Sequence, residues 1–486
     1  MQSITVLGAG TAGLVSALII KRTYPNVNVV VIESDSIGIV GVGEGSTEHW
    51  KHFIDYCGIN LNELIRETDA TLKIGIKFEN WNGDNNSYFH SIVTPFFKDF
   101  GSIEQTRTFT KTLISNSLPV EDTYIDTNLI PYDVGLNRTN QYHFNTFKLN
   151  SFLHKVCEKN KINFINMTVK DVVLNTVGSV DHLVFDSGDT HYSDFFIDSS
   201  GFKRVISSKL GAQWVSYKKY LPMNHALAFP TDDISDLKTY TLSRALSSGW
   251  NWRIPTQNRY GNGYVFCDDF INSEKAISEI ENVYKEPINV AKDIKFEAGR
   301  IDKFWIKNCV SIGLSASFVE PLEASSIGNS ILQAFGLVQN LELWELDNSV
   351  SEIYNKHFTD CFDNIVDFVQ LHYFTNRNDS EFWKNISSLI TVTDFNKQYI
   401  ELFKKALPTQ SCFMKPYLMF NSQNYTQVMY GLGLLDKEFI KNKLQQHHGD
   451  IDLHYLREYN NYLTLSNQQS YIEHSVLLKQ NNFVME

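Results

Sequence analysis

Residues 4–13, Ile-Thr-Val-Leu-Gly-Ala-Gly-Thr-Ala-Gly, decide the fold of this chain. The β-branched run Ile4–Leu7 leads directly into a G-x-G-x-x-G turn, and apolar residues then recur at helical spacing as far as Ile20. A second apolar run, residues 27–32, ends in Glu33. This order of strand, glycine turn, helix, strand and acid predicts a βαβ unit that binds a dinucleotide.

Each glycine of the turn has its own predicted purpose. Gly8 allows the tight turn, Gly10 lets the backbone approach a pyrophosphate, and Gly13 lets the helix pack closely on the strand. The helix N-terminus at Thr11 and Ala12 then offers amides to the phosphate oxygens. A glycine-rich turn without a ligand is the alternative interpretation.

Glu33 stands where an acid accepts hydrogen bonds from a ribose diol, which favours an unphosphorylated adenosine ribose over NADP. The glycine motif alone does not separate FAD from NAD.

Composition excludes several classes of protein. The chain has 486 residues, of which 43% are hydrophobic and 13% aromatic, so it can bury a large core and is neither disordered nor fibrous. A net charge of −12 without a basic block argues against nucleic acid and anionic membranes as partners. The six cysteines contain no C-x-x-C pair and are predicted to be buried thiols of a reducing compartment.

The apolar N-terminal stretch could pass for a secretory signal. No positive charge precedes Lys21, however, and glycines interrupt the apolar run, so we predict a cytoplasmic location.

A second glycine-rich loop spans residues 41–47, Gly-Val-Gly-Glu-Gly-Ser-Thr. Its glycines and hydroxyls would let a flat ligand or a phosphate approach Gly43, Glu44 and Ser46. An ordinary turn before an N-capped helix fits this stretch equally well.

Residues 72–78 alternate between apolar and polar side chains and predict one half-buried strand. Lys73 then belongs to the solvated face, unless it has a catalytic role.

Residues 320–326, Glu-Pro-Leu-Glu-Ala-Ser-Ser, precede an apolar helical stretch and predict a helix start. Either a serine caps the helix, or an anion binds at Ser325 and Ser326 beside the carboxylate of Glu323.

Two tryptophans, Trp250 and Trp252, lie in the stretch 249–255, Gly-Trp-Asn-Trp-Arg-Ile-Pro. They would share one face of a strand that Pro255 ends, most simply as a core pair. His49 and His52 have the spacing of two metal ligands, but no companion acid or cysteine motif supports a metal, and we predict none.

Together these segments resemble the flavin-dependent halogenases of the tryptophan halogenase family. The stretch around Trp250 and Trp252 is similar to the W-x-W-x-I-P signature of that family. The other similar segments are the G-V-G-E loop at 41–47, the lysine strand at 72–81, the flavin and halide segment at 309–314 and 320–323, and the stretch 368–373.

The resemblance implies an α/β fold, a Rossmann-like FAD-binding fold of the flavoprotein-monooxygenase type. Residues 1–340 would form the FAD-binding halogenase core, and residues 341–486 a mostly helical region that completes the substrate site. It also implies FAD, reduced by a separate flavin reductase from which it diffuses, and a halide ion as co-substrate.

The resemblance also implies roles for individual residues. Gly313 would contact the flavin, and the halide would lie near Ser325 and Ser326. Reduced FAD and oxygen would convert the halide to hypohalous acid, which would travel to Lys73 and halogenate an electron-rich aromatic ring with the help of Glu323.

Trp250 and Trp252 would separate the flavin from that aromatic substrate.

The chain departs from the family pattern at Ala324, where the family has serine. The aromatic grip on free tryptophan is also incomplete, since His90, Phe420 and Tyr425 are present without the expected tryptophan or second tyrosine. We therefore predict a substituted indole or a phenol, rather than free tryptophan, as the small aromatic substrate.

Two alternatives stay open: an FAD-dependent aromatic monooxygenase and a non-catalytic FAD-binding protein. The sequence leaves the choice between monomer and homo-oligomer open, and also the choice among chloride, bromide and iodide.

Overall fold

The computed structural model describes residues 1–38, 44–90, 129–131, 139–232, 236–448 and 471–481. The predicted loop residue Gly43 lies outside this part, and of Glu44 only the backbone lies within it. The described strands are, in chain order, Ser3–Leu7 (β1), Asn28–Glu33 (β2), Glu44–Gly45 (β3), Thr71–Leu72 (β4), Gly75–Glu79 (β5), Ser87–His90 (β6), Leu129–Pro131 (β7), Tyr142–Phe144 (β8), Asn163–Asn166 (β9), Val169–Leu174 (β10), Val180–Phe185 (β11), Thr190–Tyr192 (β12), Phe195–Asp198 (β13), Trp214–Ser216 (β14), His225–Thr231 (β15), Tyr240–Ala245 (β16), Gly249–Pro255 (β17), Tyr260–Phe266 (β18), Lys292–Lys295 (β19), Gly299–Ile301 (β20), Trp305–Ile306 (β21), Cys309–Ser311 (β22), Ser317–Phe318 (β23) and Tyr471–Glu473 (β24).

The helices connect and cover these strands. In chain order they are Thr11–Thr23 (α1), His49–Cys57 (α2), Leu61–Glu67 (α3), Thr146–Lys159 (α4), Val205–Lys209 (α5), Ser273–Tyr284 (α6), Ser325–Leu346 (α7), Val350–Leu371 (α8), Glu381–Leu389 (α9), Asp394–Lys405 (α10), Ser422–Gly431 (α11), Lys437–His448 (α12) and His474–Gln480 (α13).

A six-stranded sheet contains the predicted βαβ unit, which is confirmed. Its spatial order is β21-β22-β13-β1-β2-β9, and all its pairs are parallel except β21 with β22. The apolar residues of α1 pack in the same core as β1 and β2. In an open parallel sheet of this kind, ligands bind at the carboxyl ends of the strands, where the glycine turn lies.

A seven-stranded sheet forms the second layer, in the order β19-β15-β18-β17-β16-β5-β6. Its pairs are antiparallel except β16 with β5, which is parallel. The predicted strand with the two tryptophans is β17, near the middle of this sheet, and its last residue is Pro255.

The prediction of one half-buried strand over residues 72–78 is wrong. The chain forms β4 in a small sheet with β8, leaves that sheet at Lys73, and enters the large sheet as β5. The backbone N–H of Lys73 donates to Gln141 O (3.0 Å), whereas that of Ile74 donates to Thr239 O (2.8 Å). Because the chain crosses between two sheets here, Lys73 is buried instead of lying on a solvated face.

The region after residue 340 is mostly helical in its described part, as predicted. The predicted boundary between residues 340 and 341 falls inside α7, which runs through it without a break. None of the described helices combines the length and the apolar character that a membrane crossing needs.

Candidate active site

The glycine turn has the backbone geometry that a pyrophosphate site needs. Gly8 has a φ of +110°, and a Cβ on it would lie 2.3 Å from Ser199 O. A Cβ on Gly13 would lie 1.9 Å from Gly8 O, so both positions exclude any side chain. At Gly10, by contrast, a Cβ would meet no described atom within 4 Å. The turn is therefore closed towards the protein and open on the side where a phosphate would approach.

Helix α1 begins beside this open side, and no described side chain caps it. Gly313, with a φ of +73°, lies directly against its first turn, since a Cβ there would come within 2.6 Å of the Ala12 Cβ. Its backbone N–H donates to Gln333 Oε1 (3.2 Å) on α7. The residues predicted to hold the cofactor's phosphates and its flavin are thus neighbours, and their amides and dipole suit an anionic group.

Glu33 ends β2 at the same edge of the sheet. Its Oε2 lies 2.9 Å from His154 Nε2, and both side chains are half-buried. A carboxylate held in this way keeps an oxygen available for the predicted ribose contact.

Lys73 lies at the centre of the second part of the site. Its side chain is fully buried, and Nζ donates to Ser46 O (2.9 Å). A Cβ on Gly45 would lie 3.4 Å from Lys73 Nζ and 3.6 Å from the Ala324 Cβ. The glycine loop, the lysine and the segment after Glu323 therefore meet at one point, although they lie far apart in the sequence.

The burial of Lys73 changes its acidity. Burial lowers the pKa of Lys73 to about 8, although the carboxylates of Glu323 and Glu48 act in the opposite direction. The amine is therefore mostly an ammonium at neutral pH, but it can release its proton far more easily than an exposed lysine.

Glu323 is clamped between two histidines. Its Oε2 lies 2.8 Å from His90 Nδ1, and its Oε1 lies 2.7 Å from His372 Nε2, with all three side chains fully buried. Burial alone would raise the pKa of Glu323, but His90 and His372 outweigh it and lower the value to about 2. Glu323 is therefore a buried anion at neutral pH.

Glu320, three residues earlier, has the opposite character. Its Oε1 accepts a hydrogen bond from the Tyr373 hydroxyl (2.5 Å), and Oε2 has no partner among the described residues. Burial raises the pKa of Glu320 to about 8, although the Tyr373 hydroxyl and the Trp250 indole act against this rise. Two neighbouring buried carboxyls thus carry different charges at neutral pH, because the histidines surround only one of them.

This difference predicts a pH-dependent effect of Glu320→Gln on stability. The Glu320 pKa rises from 4.5 to about 8 on folding, so between these values the folded chain binds a proton that the unfolded chain releases. The wild-type free energy of unfolding therefore falls as the pH rises through this window, and the variant lacks that loss. We expect the melting temperature of Glu320→Gln, relative to wild type, to be higher at about pH 8 than at about pH 5. If the melting temperatures of the variant and the wild type differ by the same amount at both pH values, Glu320 is not protonated in the folded chain.

The segment after Glu323 turns sharply into α7. Ala324 has a φ of +53° and precedes the helix, so the interpretation of a serine-capped helix is wrong. Ser325 is the first helical residue and is buried, whereas Ser326 is exposed. The two serines thus occupy the first turn of a 22-residue helix, where the helix dipole favours an anion.

The two tryptophans of β17 are buried neighbours, with ring centroids 6.2 Å apart. Trp252 lies over Gly263, where a Cβ would come within 2.0 Å of the indole ring. The Trp252 N–H has no hydrogen-bond partner within the described ranges. The pair is rigidly packed, as the core interpretation predicts.

Of the predicted substrate residues, His90 contacts the Glu323 carboxylate, whereas Phe420 and Tyr425 pack against Phe368. Phe420 stacks on Phe368 with centroids 4.1 Å apart, and the Phe368 ring lies 5.2 Å from that of His90. Tyr425 is fully buried behind Phe368, among the rings of Phe395, Phe403 and Phe413. Phe368 thus lies between Tyr425 and the histidine clamp.

Sequence reasoning missed His372, Tyr88 and Asn424 as site residues. The stretch 368–373 was recognised as family-like, yet no single residue in it was chosen. Phe368 lies in the last turn of α8, and His372 directly follows the helix in helical backbone conformation, four residues further on; this spacing, which puts two side chains on one helix face, was the available signal.

A separate cavity of about 290 Å³ lies elsewhere on α8, and none of the predicted site residues lines it. Its lining includes Tyr217, Asp363, Asp367, Phe395 and Lys415.

The fold and the glycine turn are those of a dinucleotide-binding protein, and the same chain buries a lysine and a carboxylate in one region of its core. The tryptophan halogenase family model matches residues 3–446, and the chain belongs to this family. It is therefore an FADH2-dependent aromatic halogenase, an oxidoreductase that takes reduced flavin from a separate flavin reductase and a halide as co-substrate.

Individual relatives agree with this assignment. Tryptophan 7-halogenase KtzQ from Kutzneria sp. (strain 744) is 29% identical over 442 residues, covering 84% of this chain and 83% of its own. The solved structure of the tryptophan 6-halogenase SttH from Streptomyces toxytricini has a TM-score of 0.84 at 25% identity, covering 99% of this chain and 100% of its own. A tryptophan halogenase from Shewanella frigidimarina shares the fold, with a TM-score of 0.85 at 24% identity over 99% of this chain and 97% of its own.

Proposed function

We propose that this chain halogenates an electron-rich indole or phenol other than free tryptophan, with Lys73 and Glu323 as its catalytic residues. The observation that carries the proposal is that the fully buried Lys73 amine lies beside Gly45 and the Ala324 Cβ, while the carboxylate of the adjoining Glu323, also fully buried, acts on the pKa of that amine. Buried ionisable groups with shifted pKa values cluster at functional sites.

Bound reduced FAD, with oxygen, supplies the oxidising equivalents that convert a halide ion into hypohalous acid. The open side of Gly10, the α1 N-terminus and Gly313 would hold this cofactor, with Glu33 at its ribose. The first turn of α7, at Ser325 and Ser326, would hold the halide.

In this proposal Lys73 receives the oxidant. Its ammonium donates a hydrogen bond to the oxygen of hypohalous acid, which makes the halogen more electrophilic towards the ring. When the ring carbon bonds to the halogen, the halogen–oxygen bond breaks, and the oxygen takes the proton of the ammonium and leaves as water. The proton that the ring then gives to Glu323 restores the ammonium. Ser46 O already accepts from Nζ and so fixes the direction of the amine. The packed pair Trp250 and Trp252 keeps the aromatic substrate away from the flavin.

Glu323 acts on the ring in the same step. Its negative charge stabilises the cationic ring intermediate, and its carboxylate accepts the ring proton as aromaticity returns. The carboxylate stays ionised well into the acidic range, because His90 and His372 lower its pKa to about 2.

The acidity of Lys73 predicts a basic limit to the reaction. Since the Lys73 pKa is about 8, the ammonium fraction falls as the pH rises through that value, and product formation falls with it. The rate of hypohalous acid formation is measured separately, with a halogen scavenger and no aromatic substrate. We expect that this rate does not fall as the pH rises through about 8. A product rate that keeps rising past about pH 9 would contradict the need for an ammonium.

The proposed substrate class is tested with a panel of aromatics. The purified chain, a flavin reductase, NADH, FAD and each halide in turn are incubated with free tryptophan, substituted indoles and phenols. We expect kcat/KM to be higher for a substituted indole or a phenol than for free tryptophan, because Phe420 and Tyr425 pack into the aromatic core. Free tryptophan as the best member of the panel would refute this, and oxygenated products formed without halide would favour a monooxygenase.

A further inference from the structure

We infer that His372 is a positioning residue whose protonation state controls the charge and basicity of Glu323, while His90 donates to the same carboxylate from a fixed ring orientation. This inference rests on the catalytic role proposed for Glu323. It follows from the different hydrogen-bond partners of the two histidines.

The ring of His90 is oriented by an asparagine on α11. The backbone N–H of Asn421 donates to Asn424 Oδ1 (2.8 Å), which turns the Asn424 amide N–H₂ towards His90 Nε2 (3.1 Å). Because Nε2 must accept from this amide, the ring proton of His90 lies on Nδ1 and is donated to Glu323 Oε2 (2.8 Å).

His372 has no such restriction. Its Nδ1 lies 2.8 Å from the Tyr88 hydroxyl, which can donate to a neutral imidazole or accept from an imidazolium by rotating its proton. Its Nε2 lies 2.7 Å from Glu323 Oε1 in a close contact without hydrogen-bond geometry, and neither atom has a hydrogen-bond partner in the described part of the chain. His372 can therefore gain or lose a proton on Nδ1 while it stays paired with both Tyr88 and Glu323.

The net charge of the pair formed by His372 and Glu323 depends on whether His372 carries this proton. With neutral His372, the pair carries the full negative charge of Glu323, which stabilises a cationic ring intermediate. With protonated His372, an imidazolium lies 2.7 Å from the carboxylate and cancels that charge, so Glu323 becomes a weaker base.

The surroundings of His372 keep it neutral near pH 7. The ionisable groups that face it are Glu323 before α7 and Tyr88 and His90 on β6, and the other neighbours are the rings of Phe78, Trp81 and Phe368. Burial lowers the pKa of His372, although Glu323 acts in the opposite direction. The rate of product formation should therefore fall as the pH drops below the ordinary imidazole range. This fall is the acidic limb of the pH profile, whereas the basic limb comes from Lys73.

The test compares pH profiles of product formation for wild type, His372→Gln, Tyr88→Phe and, as the matched control, His90→Gln. Glutamine at 372 still donates to Glu323 but cannot be charged, so its acidic limb is expected to disappear, with the neutral-pH rate within about tenfold of wild type. In Tyr88→Phe a buried imidazolium loses its partner, so the limb should move to lower pH. His90→Gln should keep the limb at the wild-type position.

Several results would overturn the inference. An acidic limb that stays unchanged in both His372→Gln and Tyr88→Phe would do so, as would a limb that disappears in His90→Gln instead. If His372→Gln fails to fold, judged by its melting temperature and FAD content, Tyr88→Phe decides alone, since its ring stays stacked on Phe78 (4.8 Å). Full activity of Glu323→Gln would instead refute the proposed function itself, which separates the two failures.

Discussion

Replacing Lys73 by methionine is expected to lower the rate of aromatic halogenation by at least about 10³-fold, because no ammonium is left to activate the oxidant. Methionine has a similar shape and needs no buried charge, so the variant should melt at the wild-type temperature or above it. Its FAD content and its rate of hypohalous acid formation should stay close to wild type. Mass spectrometry of the halogenated product, together with a halogen scavenger assay, measures both rates.

The matched control is Lys77→Met. Lys77 lies four residues further on, half-buried on β5, with its Nζ 3.6 Å from Glu79 Oε1. Its removal should leave product formation within a few-fold of wild type, because it lies on the strand but outside the meeting point at Gly45. Equal losses in both variants would point to a general effect of the strand, and product formation that persists in Lys73→Met would exclude Lys73 as the residue that receives the oxidant.

The second large effect is expected for Glu323→Gln. Glutamine keeps the shape of the side chain but removes the charge and the base, so product formation should fall by about 10²–10⁴-fold. The loss should appear in kcat, since the carboxylate acts on the ring intermediate rather than on substrate binding. Steady-state kinetics with the best substrate of the panel separates the effect on kcat from the effect on KM.

Glu320→Gln is the control for this change. Glu320 is buried and only three residues away, but its pKa of about 8 means that it is mostly uncharged at neutral pH. The same substitution there removes no charge, so product formation should stay within a few-fold of wild type at pH 7. If both variants lose activity equally, the charge of Glu323 is not what the reaction needs.

The βαβ unit could be predicted because its determinants are local. Gly13 lacks room for a side chain because of Gly8 O in the same turn, and the left-handed φ of Gly8 is itself a property of that turn. The strand at Trp250 and Trp252 and the helix at Ser325 were predictable for the same reason. The spacing of their apolar residues, and the proline or serine residues at their ends, lie within a few consecutive positions.

The environment of Lys73 could not be predicted from local pattern. Its burial depends on Gln141 and Thr239, which draw successive residues of the chain into different sheets. The clamp on Glu323 likewise needs β6 and α8 to bring His90 and His372 together from distant parts of the sequence. The alternation in residues 72–78 describes two short strands equally well, and only the sheet topology decides between them.

The central claim is that the aromatic ring reacts beside Lys73 and Glu323. A crystal structure of the chain with FAD and the best aromatic substrate bound would show where the ring lies. We predict that the reacting ring carbon lies beside Lys73 Nζ and the Glu323 carboxylate, within reach of one hypohalous acid molecule. We also predict that Trp250 and Trp252 lie between the substrate and the flavin. A ring stacked directly on the flavin, with its reacting carbon far from Lys73, would contradict it.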